Sequence, residues 1–374
     1  MGTSRLKPKL ELRNGMNLPA TRINISLTPV FKLASGALFI WVVCLLFLVA
    51  LPWSFDSERV AYAREYLDIS NCLCVNLGPR DPAWPLFLRA VSTLNLTPYT
   101  AIVLIIVGSI GTLALSLWAW VNSATVTILN TKKKLTMAIC IEAVILNPLV
   151  QQVTALNVRS GVSLALAFSA LVWLMVGKSK LGPWTLIVFG LLFHAPIGIV
   201  GISAALLMHV KSRYLSILVS LAFLLFIAGL GPVILRRTVL SFPASAKLFD
   251  GYLQQVEGLR LFPTFALLLV VSLTLLGSTL VARNPRLSSI PTLRLSINAA
   301  MGMLVPVSLL GSIAYLDRLL IFPLIWLSAI VLIILVTKLN RIGLVLCVLA
   351  FLPLTLLSLW FLAKNPGAVI AVIF

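Results

Sequence analysis

The sequence predicts an all-α, polytopic integral membrane protein of about eleven transmembrane or half-spanning helices. Composition is the first reason. Of 374 residues 60% are hydrophobic and only 10% charged, and mean hydropathy is +1.08. A soluble domain of this size cannot bury that much apolar surface. The second is segmentation: long apolar stretches, many near the ~20 residues a helix needs to cross a bilayer, alternate with short polar breaks. The third is charge placement. The net charge is +19, and basic residues gather in turns such as Lys132-Lys133-Lys134, Lys178/Lys180 and Lys211/Arg213. In a soluble protein such a balance would suggest nucleic acid, but no soluble region is large enough to carry a module. Basic turns instead hold loops on the cytoplasmic side and meet anionic lipid.

In order along the chain, residues 1–34 are a polar, basic tail, with Arg5, Lys7, Lys9, Arg13, Arg22 and Lys32. It is long for a secretory leader, and no clear small-x-small cleavage site follows, so it reads as the cytoplasmic end of a retained signal anchor. A single transmembrane domain then occupies 35–363. Its first span, about 35–53, ends at Pro52-Trp53, an interfacial anchor. An outer loop at about 54–98 carries Asp56, Glu58, Glu65, Asp68 and Asp81. A span at about 99–121 returns to the Lys132–Lys134 turn. Spans at about 135–151 and 160–176 form a hairpin with Arg159 at its tip.

Residues 184–210 are too few for two full crossings and suffice for one tilted span or two short helices. Pro196 lacks a donor and pushes Ala195 out of the helical region, which favours two short helices breaking at His194-Ala195-Pro196. Such a break must face protein or a water-filled cavity. Further spans follow at about 214–231, 263–281, 297–313, 319–336 and 342–362, with a second outer loop at about 232–262 and a C-terminal tail at 364–374. The semi-polar segments 83–96 and 238–256 suit amphipathic helices at the outer interface. Cys44, Cys140 and Cys347 fall in spans as packing residues, and Cys72-x-Cys74 is too close for an easy disulfide. No metal site and no cofactor is expected: P-loop, zinc motif and nucleophile elbow are all absent from the sequence.

Arg159 and His194 stand out, because an ionisable residue beside hydrocarbon costs on the order of a few kcal/mol and marks a candidate functional site. Each lies in a short polar break, Asn157-Val158-Arg159-Ser160 and Phe193-His194-Ala195-Pro196. Around them runs a set of short motifs. Asp56 precedes Glu58-x-x-x-Tyr62-x-x-x-Tyr66, and Asp81-Pro82-Ala83-Trp84 leads into Leu86-Phe87-Leu88. Asn157-x-Arg159 with Gly161 is followed by Phe193-His194, and Arg318 opens Leu-Leu-Ile-Phe322-Pro323. From about 50 to 330 this pattern resembles the EpsG-like group of Wzy-type polysaccharide polymerases. Two positions depart from it: Glu58 stands where the family usually has Asp, and Ser160 where it often has Gln.

The resemblance implies a GT-C-like bundle in the bacterial cytoplasmic (inner) membrane, working on its outer, periplasmic face. There it would join undecaprenyl-diphosphate-linked oligosaccharide repeats into a surface or exopolysaccharide. The implied partners are a lipid-linked donor and acceptor and the membrane, with a chain-length regulator and a flippase as further candidates. Such a transfer must hold a diphosphate leaving group, deprotonate an acceptor hydroxyl and admit a long lipid. Arg159 suits the first task, since guanidinium presents a fixed fork to phosphate and does not deprotonate. His194, Arg318, Arg236 and Arg237 are further diphosphate candidates. Asp56 or Glu58 suits the second, as a general base. Tyr62, Tyr66 and Trp84 are candidates for stacking on sugars, although membrane-interface belts use the same residue types. A snorkelling arginine, a capping histidine and a solvated acidic loop account for the same residues without chemistry. A transporter or flippase of lipid-linked glycans, or a membrane acyltransferase, would use a similar residue set.

Overall fold

The computed structural model describes residues 58–71, 81–125, 150, 157–177, 181–230, 233, 237, 261–288, 290–310 and 316–338. Helices follow one another as α1 (Glu58–Ser70), α2 (Ala83–Ser92), α3 (Pro98–Thr125), α4 (Val158–Val176), α5 (Leu181–Phe193), α6 (Ala195–Leu207), α7 (Ser212–Ile227), α8 (Leu261–Arg283), α9 (Pro285–Ser288), α10 (Pro291–Leu310) and α11 (Leu316–Lys338). Among the described residues no strand occurs. Among the described residues, four stretches are long and apolar enough to cross a membrane: Pro98–Ser123, Val158–Val176, Ala266–Arg283 and Thr292–Leu310. Leu181–Phe193, Ala195–Leu207, Ser212–Ile227 and Leu319–Val331 are apolar but shorter. The chain is a helical membrane protein. The expected spans at about 35–53, 135–151 (Val150 apart) and 342–362, both tails and the 238–256 segment lie outside the described residues.

Local chemistry sets the helix ends that matter for the site. Asp81 sits in the left-handed region (φ 56°), which a short polar side chain tolerates better than most. Its carbonyl accepts the Trp84 amide at 3.1 Å, and Pro82 leads into α2. The Thr97 hydroxyl accepts the Thr100 amide at 3.3 Å at the start of α3, an N-cap contact. At α4 the Asn157 side chain takes that role toward the Ser160 amide.

The break at 194 is a true reversal. His194 is extended (φ −159°, ψ 100°), and Pro196 lies in the first turn of α6. The two short helices then fold back on each other so tightly that a Cβ on Gly198 would lie 2.2 Å from the Leu191 Cα. Two residues seven apart in a continuous helix would be about 10 Å apart along its axis. The sequence left this segment between one tilted span and a broken pair; the structure has the broken pair.

The core is stitched by small residues and by hydrogen bonds across helices, as expected where lipid supplies no hydrophobic drive between helices. The Ser163 hydroxyl donates to the Gly190 carbonyl at 2.7 Å and ties α4 to α5. Ser203 donates to the Gly302 carbonyl at 2.8 Å and ties α6 to α10. Ser116 and Ser169 share a 2.6 Å bond between α3 and α4. Below them Trp120, Phe168 and Trp326 are fully buried, with the two indoles 4.3 Å apart. The Trp326 indole N–H is held by the Ser296 carbonyl at 2.8 Å. Asn298, buried on α10, donates to the carbonyls of Met208 and Val210 and accepts from Ser212. These bonds fix the α6–α7 turn. The sequence expects this span from about 297, but α10 starts at Pro291. Its first turns are disguised by Thr292, Arg294, Ser296 and Asn298.

Candidate functional site

Arg159 stands in the first turn of α4, side chain 31% exposed, within a shell drawn from three separate segments. Its Nη1 is 3.3 Å from the Asp81 carboxylate, which is itself only 3% exposed. Its Nε lies 3.5 Å from the Tyr62 hydroxyl, at the outer limit of a hydrogen bond. The guanidinium carbon is also 5.3 Å from the centre of the Tyr62 ring, within the range of a cation–π contact. Tyr62 in turn donates its hydroxyl proton to Asn157 Oδ1 at 3.1 Å. One face of the cation is thus held by Asp81 and Tyr62, while a third of the side chain stays open. A guanidinium carries five N–H donors; the open part can receive an anion without dissolving the pair.

An aromatic shelf underlies this arrangement. Trp84 packs edge-on to Tyr62 at 5.4 Å and to Phe193 at 6.5 Å, and Phe87 meets Phe193 at 5.3 Å. The Trp84 indole N–H is taken by the half-buried Glu65 carboxylate at 3.0 Å. The Tyr66 hydroxyl donates to the Leu96 carbonyl at 3.1 Å. Phe193 carries the shelf to His194, whose carbonyl accepts Ser163, one turn along from Arg159, at 3.4 Å. His194 is buried (8% exposed) and makes no side-chain capping bond to α6. Arg159 and His194 therefore share one end of the bundle, linked through Ser163 and through the aromatic shelf.

The structure gathers Tyr62, Tyr66, Trp84, Arg159 and His194 at this end. Trp84 and Tyr66, at 0% and 2% exposure, are framing residues here, with neither ring face open to a sugar. Arg237 is exposed. Asp56, Arg236 and the side chains of Glu58 and Arg318 lie outside the described residues, although the backbone places Glu58 at the start of α1 and Arg318 in the first turn of α11. Sequence reasoning named no role for Asp81 and Glu65, the carboxylates in contact with Arg159 and Trp84. The signal was present in the Asp81-Pro82-Ala83-Trp84 turn. Its acid sits among several others in a polar loop, which hides it. Among the described residues no three His, Cys, Asp or Glu side chains converge as a metal site.

Helices of this apolarity around a half-open arginine define a membrane protein with a candidate anion site at one end of its bundle. The EpsG family model matches residues 37–369, nearly the whole chain, and the protein belongs to that family. No curated protein and no solved structure matches it.

Proposed function

We propose that the protein is a membrane glycosyltransferase that polymerises undecaprenyl-diphosphate-linked oligosaccharide repeats into a surface or exopolysaccharide, on the outer face of the bacterial cytoplasmic membrane. Family membership supports a role in polysaccharide polymerisation. The observation that carries the reading of the site is the arginine held by Asp81 and Tyr62 with about a third of its side chain, 31%, open. In this reading Arg159 takes the donor diphosphate and offsets the charge that grows as the glycosidic phosphate bond breaks. Each charge-assisted hydrogen bond is worth about 1.5–3 kcal/mol. His194 and Arg318 complete the phosphate contacts. Asp56 or Glu58, at the entrance of α1, removes the acceptor hydroxyl proton as it attacks the anomeric carbon.

The test is surface-polysaccharide electrophoresis in a deletion strain complemented with variants. Arg159→Ala is expected to abolish chain extension while single repeat units still reach the surface. Removing Arg159 alone takes the ion-pair partner from the buried Asp81 carboxylate and costs stability. The double variant Arg159→Ala/Asp81→Asn therefore serves as the folded control. Normal polymer from a membrane-inserted double variant sinks the proposal. Loss of single repeat units as well as polymer would favour a flippase.

A further inference from the structure

An apolar groove of about 310 Å³ runs between α2, α3 and α4, its α4 lining beginning at Val162, one turn on from the arginine. Its α3 side extends from Ala101 to Thr112, a rise of roughly 16 Å, which is about half the ~30 Å hydrocarbon thickness of a bilayer. Its α4 wall is formed by Val162, Ala165 and Leu166, of which the two larger side chains, Val162 and Leu166, reach toward the arginine's end of the helix face. These follow Arg159 at i+3 and i+7, so the cation and the wall share one helix face. On the α2 side the groove begins at Phe87, the same ring that packs on Phe193 and Trp84 beneath the arginine. Leu94 and Leu104, on its rim, are exposed, so the groove opens sideways. Gly108 lies in the groove, and a Cβ there would meet nothing within 4 Å.

We propose that this groove seats the first isoprene units of a polyprenyl diphosphate whose phosphates lie on Arg159, an inference that rests on the reading of Arg159 as a phosphate ligand. A cation at the head of a one-leaflet apolar channel is complementary to an anionic group joined directly to a hydrocarbon chain. At ~30 Å³ per water-sized group the groove takes on the order of ten carbons, which is two isoprene units. A diacyl phospholipid fits less well: its glycerol puts two chains side by side, whereas about 310 Å³ spread over a run of roughly 16 Å has the cross-section of one chain. The tail moves from one apolar medium to another, so the groove contributes packing and orientation rather than hydrophobic transfer. It fixes how far the diphosphate stands from the bilayer surface.

The test uses the full chain in nanodiscs and an undecaprenyl diphosphate carrying a photoreactive diazirine in its first isoprene units. Label is expected on peptides covering 101–112 and 162–166. Gly108→Trp is expected to cut that labelling roughly tenfold, about 1.4 kcal/mol. Gly277→Trp on α8, where a Cβ also meets nothing within 4 Å, should leave it unchanged. Equal thermal midpoints for the two variants would establish that Gly108→Trp is folded. Label spread evenly over the lipid-facing helices overturns the proposal, as does label indifferent to Gly108→Trp. Equal labelling of the groove by a photoreactive phosphatidylglycerol also overturns it. The assay needs no turnover, so it separates the two readings. Groove labelling in a protein that polymerises nothing keeps this inference and removes the polymerase. Normal polymer with label elsewhere removes only the groove.

Discussion

At the scale of single residues, the site turns on how one cation is held. Asp81 and Tyr62 orient the Arg159 fork from one side, and the carboxylate is almost wholly buried. Asp81→Asn keeps the shape and a hydrogen-bond acceptor but removes the counter-charge. The expected result is a chain-extension rate lower by roughly ten- to a hundredfold, the range of one charged hydrogen bond, with no rise in donor KM. A raised KM at unchanged kcat would instead make Asp81 part of substrate binding. Arg159 and His194 were legible in the sequence because ionisable groups next to apolar runs are costly. Asp81 was less so: apart from the Asp81-Pro82-Ala83-Trp84 turn, nothing in one-dimensional order distinguishes it from Asp68 or Glu65. Only the left-handed backbone at Asp81 and the docking of α4 bring its carboxylate to Arg159.

At the scale of elements, the α5–α6 reversal sets the position of His194. It depends on Gly198, where an added methyl would overlap the backbone at Leu191. Gly198→Ala is expected to cost about 1–3 kcal/mol, as overpacked cores do, and to lower the thermal midpoint in detergent. Gly108→Ala, into open space, should leave that midpoint unchanged. Equal midpoints would show that the hairpin is looser than described. Proline chemistry located this break in the sequence, and apolar run length located α3, α4, α8 and α11 to within a few residues. It failed at the start of α10, because polar residues there read as a turn. Their hydrogen-bonding groups are instead spent on neighbours: the Asn298 amide fastens the α6–α7 turn, and the Ser296 carbonyl holds Trp326.

At the scale of the whole molecule, α4 and α5 run in opposite directions, which puts the end of α4 at Gly177 and the start of α5 at Leu181 at the other end of the bundle from Arg159. If the site faces outward, a cysteine placed at exposed Asn95 is expected to react with an impermeant maleimide in intact cells. One placed at Lys178 should react only after permeabilisation. The opposite pattern would put the Arg159 site on the cytoplasmic side and remove the polymerase reading. Hydropathy made the membrane class plain in the sequence. It could not reveal which polar ends meet, because that is decided by small-residue packing such as Gly201 against Ala167.

The holding of Arg159 has one more consequence. Its partners lie 97 and 78 residues away along the chain, on Tyr62 and Asp81. No stretch of nascent chain contains the site; it comes into being only when α1, the α2 turn and α4 have docked. A ligand that recognises it therefore recognises the finished fold alone. At a hundred times its dissociation constant, such a ligand would add about 2.7 kcal/mol to the stability of that fold. If the ligand is the proposed lipid carrier, a cell rich in it would help this protein to stay assembled, and one depleted of it would leave the same chain more exposed to proteolysis.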